Sequence, residues 1–161
     1  MDQTLVFVGT YTNYEVLPHW PYGNKLGDGI YTYRWHADAG KMELLSVTPC
    51  LNPAVMKYHP KLNVLYALTE CIDTEGIVTA YKVDPATGVL TKFSSIRSTG
   101  RSTCYISIDK EAQHAIISNY WDGKLNVIKL DEEGGLVEIV SEHQQTNRES
   151  WRQVENRCGH F

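Results

Sequence analysis

The chain has 161 residues, 42% of them hydrophobic and 21% charged, with a formal charge of −4, which is the size and composition of one ordinary globular domain. Its acidic balance argues against nucleic acid or an anionic membrane as partner, because both require a basic surface. No apolar run approaches the ~18–20 residues of a membrane span. The opening Met1-Asp-Gln-Thr lacks the positive start of a signal peptide. Cys50, Cys71, Cys104 and Cys158 are widely spaced with no C-x-x-C pair. Free thiols in a reducing compartment, by default the cytoplasm, are therefore expected.

In chain order, the first apolar run is Leu5–Val8. A long break follows, then Gly29–Trp35, the turn His36-Ala-Asp-Ala-Gly40 and a run at Met42–Leu45. Residues 53 to 93 carry four runs, Val55–Tyr58, Val64–Leu68, Ile77–Val83 and Val89–Phe93. Residues 103 to 140 repeat them as Tyr105–Ile108, Ala115–Ile117, Leu125–Leu130 and Leu136–Val140. Runs this short, rich in Ile, Val and Tyr and bounded by turn residues, predict strands. The run Ala115–Ile117 is apolar without alternation, which predicts burial on both faces, as in a sheet stacked between two others.

The spacing repeats. Gly76 and Gly123 open equivalent strands 47 residues apart, and the final glycines of Asp84-Pro-Ala-Thr-Gly88 and Asp131-Glu-Glu-Gly-Gly135 are also 47 apart. Four strands per unit at this period is the signature of propeller blades. The fold predicted is all-β, a β-propeller of four-stranded antiparallel blades. Blade one covers about residues 4–50, blade two 52–100, blade three 101–146, and 147–161 start a fourth. Closing a ring takes ~4–8 blades, so three make an incomplete ring. The chain is then a truncated piece, or its bare flanking faces are covered by missing blades or by self-association.

In such meanders the loops alternate between two ends. One end collects hairpin turns such as His59–Asn63, Asp109–Gln113 and Asp131–Gly135. The other, the mouth, collects residues 9–12, Thr69-Glu70, Asn119-Tyr-Trp121, the inter-blade links Asn52-Pro53 and 101–104, and the tail after Glu142. It also receives an excursion over residues 13–28 bearing Tyr14, Trp20 and Tyr22, longer than the 2–5 residues of ordinary hairpins. Functional loops gather on one rim of a rigid scaffold.

Val8-Gly-Thr-Tyr-Thr12, Gly29-Ile-Tyr-Thr-Tyr33, Asn52-Pro-Ala with His59-Pro60, Leu65-Tyr-Ala-Leu-Thr-Glu70, Cys104-Tyr-Ile-Ser-Ile-Asp109, Ser118-Asn-Tyr-Trp-Asp-Gly123 and Arg152-Gln153 stand in one order along the chain. By these the sequence resembles the lactonase family with a seven-bladed propeller, which includes propeller-type 6-phosphogluconolactonases and carboxy-cis,cis-muconate cyclases. The resemblance implies the N-terminal three of seven blades. It also implies a lactone hydrolase acting on a sugar-derived lactone, a small-molecule substrate, and no cofactor. Ring closure of a carboxymuconate and a non-catalytic binding scaffold are the alternatives. Where the family carries His-x-His after Arg-Gln, this chain reads Val154-Glu-Asn-Arg-Cys-Gly-His160, so His160 matches the second histidine and Cys158 replaces the first.

Opening a lactone needs an activated water and groups that stabilise the oxyanion. No G-x-S-x-G occurs, and the six histidines show no metal-ligand spacing, so no metal is expected. Glu70, at a strand end on the mouth, is either a general base or a structural carboxylate. Asn119, placed at the equivalent point one blade on, either binds substrate or forms a turn. Arg101, Arg148, Arg152 and Arg157 fall in links on the same rim, where a guanidinium fork would hold a phosphate or carboxylate. The catalytic candidates are His160, Glu70 and Arg152, with Arg152 favoured by the family motif; Asn119, Tyr11 and Arg101 are the substrate-binding candidates.

Overall fold

The computed structural model describes residues 4–20, 23 and 25–145. Eleven strands occur among them: β1 (Thr4–Gly9), β2 (Ile30–His36), β3 (Lys41–Thr48), β4 (Pro53–Tyr58), β5 (Val64–Thr69), β6 (Ile77–Val83), β7 (Leu90–Arg97), β8 (Thr103–Ile108), β9 (His114–Asn119), β10 (Lys124–Leu130) and β11 (Leu136–Gln144). They form three antiparallel meanders in sequence order, β1-β2-β3, β4-β5-β6-β7 and β8-β9-β10-β11. The only helical segment described is a 3-10 turn at Ala37–Ala39. This is the predicted all-β architecture of about three blades. The first sheet holds three strands among the described residues, with β1 in the place of β5 and β9.

Apolar cores lie between the sheets. Ile30 packs with Leu65, Ala67, Tyr81, Val83 and Leu90 between the first and second. Tyr66, Leu68, Val78 and Ala80 pack with Ile106, Ala115, Ile117 and Ile128 between the second and third. Each such fully buried Leu or Ile contributes about 1.5–3 kcal/mol. Tyr66 spans the second gap and donates its hydroxyl to the Gly134 carbonyl at 2.7 Å, which satisfies the one polar atom its burial would strand.

Two expectations need correction. All six residues of β5 are buried, but the both-face burial expected at Ala115–Ile117 is not found: Ala115 and Ile117 are sealed while Ile116 is 41% exposed. β5 has a sheet on each side, whereas β9 has one. The hairpin turns are also not in the register of the sequence repeat. The left-handed glycine that answers Gly88 (φ 71°) is Gly134 (φ 82°), not Gly135, because the third unit closes with Gly134 N–H on the Asp131 carbonyl, one residue shorter than Gly88 N–H on that of Asp84. A left-handed conformation costs an ordinary residue about 1–2 kcal/mol, so glycine follows the turn geometry rather than the period.

Candidate functional site

β1, β5 and β9 run in the same sense in their sheets, so the residues that follow them emerge at one end of the stack. Tyr11, Glu70 and Asn119 therefore share the mouth, as do the links before β4 and β8. The hairpins at residues 59–63, 84–88, 109–114 and 131–135 lie at the other end.

At the mouth Tyr11 and Glu70 meet across the first and second sheets. The Tyr11 hydroxyl donates to Glu70 Oε2 at 2.8 Å, and only 9% of Glu70 is exposed. Burial, then the hydrogen bond to Glu70 and its charge, push the Tyr11 phenol up to about 12. No hydrogen bond to Oε1 occurs among the described residues, so among these one carboxylate oxygen is steadied and the other is not. A cavity of about 180 Å³ lined by Gly9, Thr10, Tyr11, Pro53 and Ala54 opens beside Tyr11. Ala54 is the extra residue of a bulge between Pro53 and Val55, and Cys104 is its counterpart in β8. Bulges of this kind re-aim side chains at functional rims.

Asn52 holds the excursion in place. Its Oδ1 accepts from the Thr12 and Asn13 amides at 2.8 and 2.9 Å, and its Nδ2 donates to the Asn13 and Glu70 carbonyls. The Ile72 amide donates to the Val16 carbonyl at 2.9 Å, and Leu17 is buried beneath. Tyr11 is flanked edge-on by Tyr14 and by His19, whose ring centroids lie 6.5 and 5.8 Å away. Asn52, Thr99 and Ser102 have positive φ, and all three sit on inter-sheet links at the mouth. Strain of about 1–3 kcal/mol at each is held by surrounding bonds and collects where a site is pre-organised.

The strand register corrects the placing of Asn119. Asn119 faces Thr103 as Thr69 faces Pro53, so the counterpart of Glu70 is the exposed Tyr120, and Asn119 answers Thr69. Asn119 is 1% exposed. It accepts from Thr103 Oγ1 at 2.7 Å and donates to Asn126 Oδ1 at 2.7 Å, while Asn126 donates to Thr99 Oγ1. Its amide is spent on tying links together. Gly76 lies against this cluster, where a Cβ would strike Thr103 Oγ1. Arg101 is exposed and forks onto Asp122, with Nη2 donating to Oδ1 at 2.9 Å and the backbone amide to Oδ2 at 2.7 Å. Asp122 holds the guanidinium charge, and Arg101 holds the Asp122 carboxyl below its ordinary range by donating to it.

Arg148, Arg152, Arg157, Cys158 and His160 lie outside the described residues. Nothing in the spacing of the histidines singles out His19; the aromatic content of the excursion that carries it is the signal that points there. His59 is in a far-end turn, its Nδ1 accepting from the Lys61 and Leu62 amides, and burial lowers its pKa. It lines a far-end cleft of about 610 Å³, matched in size by a cavity of about 600 Å³ lined by Cys104, Asn119, Tyr120 and Lys124 near the mouth end of the third sheet. Size therefore does not decide between the two ends. No group of three His, Cys, Asp or Glu near enough to hold a metal occurs among the described residues, nor is any helix there long and apolar enough to cross a membrane.

Known proteins match this arrangement. A protein of Formosa agariphila named 6-phosphogluconolactonase is 30% identical over 83% of this chain and 36% of its own length. One of the same name from Bacillus subtilis is 28% identical over all of this chain and 43% of its own. The solved structure of a putative 6-phosphogluconolactonase from Bacteroides uniformis superposes with a TM-score of 0.77 at 25% identity, covering 96% of this chain and 42% of that one. The chain thus spans less than half the length of the relatives it matches. Residues 5–161 match the model of the seven-bladed β-propeller lactonases, and the chain belongs to that family.

Proposed function

We propose that the protein is a lactone hydrolase whose substrate is a sugar-derived lactone, with 6-phosphogluconolactone the favoured one. The observation that carries this reading is the buried Glu70 carboxylate at the mouth, held through one oxygen by Tyr11. The names of the relatives from Formosa agariphila and Bacillus subtilis support the substrate class. Glu70 Oε1 accepts a proton from a water as that water attacks the lactone carbonyl. Tyr11, its proton committed to Oε2, keeps the carboxylate aimed. Asn119 and Asn52 act by holding the links and the excursion. Arg101, tied to Asp122, serves the rim; recognition of a phosphate or carboxylate is assigned to Arg152, and His160 is the second candidate for acid–base work.

The protein works in the cytoplasm, in keeping with the unpaired thiols of Cys50, Cys71 and Cys104. The outer faces of the first and third sheets are covered by further sheets of the same ring. The test is hydrolysis of 6-phosphogluconolactone by the full-length protein above the spontaneous rate. Glu70→Gln keeps the shape and an acceptor for Tyr11 but removes the base, and is expected to lower kcat about 10²–10⁴-fold. Absence of hydrolysis in the parent protein would overturn the proposal.

A further inference from the structure

His19 stands beside the Tyr11–Glu70 pair and the hydrolysis described above leaves it unused. Its ring lies 5.8 Å from that of Tyr11 at an interplanar angle of 71°, and Tyr11 is in turn 2.8 Å from Glu70. The side chain is exposed and makes no hydrogen bond among the described residues, so none of these consumes its nitrogens. The backbone that presents it is not free to wander. Leu17, two residues earlier, is buried, Val16 is bonded to Ile72, and Asn13 is clamped by Asn52.

Lactone opening moves two protons. The attacking water must lose one, and the ring oxygen that departs as an alkoxide must gain one. Glu70 can take the first. Tyr11 is poorly suited to give the second, because its hydroxyl proton already bridges to Glu70. An imidazole can carry a proton near neutral pH, and a general acid of this kind contributes about 10²–10⁴-fold.

We propose that His19 is the general acid of the reaction, donating a proton to the leaving alkoxide while Glu70 accepts one from the attacking water; this rests on the role given to Glu70 above. The water oxygen bonds to the carbonyl carbon, the ring C–O bond breaks, and its electron pair takes the His19 proton. Glu70 afterwards releases its proton to solvent and His19 takes one up, so that one water is consumed and one hydroxy acid formed.

The experiment compares two lactones in the full-length protein. 6-Phosphogluconolactone expels an alkoxide, which needs the acid. Dihydrocoumarin expels a phenoxide, which scarcely does. His19→Gln is expected to lower kcat on the first by at least tenfold and to leave the second within about twofold, while Glu70→Gln lowers both. Equal loss on the two substrates, or no loss on either, in a His19→Gln protein whose circular dichroism matches the parent would overturn the proposal and leave the Glu70 reading standing. Full activity in Glu70→Gln, or an inactive parent, would sink both.

Discussion

β5 and β9 occupy the same position in successive sheets, yet they live in different surroundings. Val64 to Thr69 is buried at every residue, while β9 alternates, with Ile117 sealed and its neighbour Ile116 at 41% exposure. Both strands are apolar, and burial separates them only because β5 has a sheet against each face. Tyr105, Leu125, Val137 and Val140 join Ile116 as exposed apolar residues of the third sheet. Val8, Met42, Leu44 and Val47 play the same part in the first. A strand in this architecture carries the composition for two neighbours whether or not both are present.

The sharpest way to break the comparison is within β9. Ile117→Ala should cost about 2–5 kcal/mol of unfolding free energy, the range for a sealed aliphatic side chain. Ile116→Ala should cost under about 1 kcal/mol. Urea unfolding of the two variants reads the difference directly. If a further sheet covers this face in a longer chain, the Ile116 loss should rise towards that of Ile117. Equal losses in the 161-residue chain would mean the outer face is already covered in solution.

Asn52→Ala extends the test to the mouth of the middle sheet. It strands the Thr12 and Asn13 amides, and an unmet buried group costs about 1–3 kcal/mol. The loss should appear as faster proteolysis within residues 13–28 and lower activity, since His19 rides on that segment and Tyr11 leads into it. Unchanged cleavage would show that Leu17 and Val16 hold the excursion unaided.

The smallest effect is expected in base. Tyr11 titrates at about 12 in the fold against about 10 when unfolded, so the folded state keeps its proton longer. Its stabilising contribution is whole below about pH 10 and is lost as pH rises through about 12. Tyr66 and Tyr81, both on the middle sheet, are pushed up further by burial and add to the same alkaline loss. Glu70→Gln removes the carboxylate charge beside Tyr11 and should bring that phenol down, seen as earlier tyrosinate absorbance. An unmoved titration would argue that Glu70 and Tyr11 are apart in solution.

Much of this was legible in the chain itself. Short runs of Ile, Val and Tyr separated by Asp- and Gly-bearing turns dictate strands, and their recurrence dictates stacked meanders, because strand pairing follows local pattern and tight turns. The mouth residues Tyr11 and Glu70 followed from counting which loops share an end. The rest required coordinates. Asn119 and Glu70 looked equivalent along the chain, but the pairing of Asn119 with Thr103 and of Thr69 with Pro53 sets them one residue apart, and one residue of slip turns a rim group into a sealed one. Arg101 looked free until Asp122, 21 residues on, was seen to hold it. The sequence by itself determined the strands, the repeat and the end at which the links carrying Tyr11 and Glu70 gather, all of which arise from neighbours along the chain. Only the tertiary structure decided which faces are covered, which polar side chains are spent within the fold, and that His19 stands against Tyr11, because those depend on contacts between residues that the pattern of the chain does not pair.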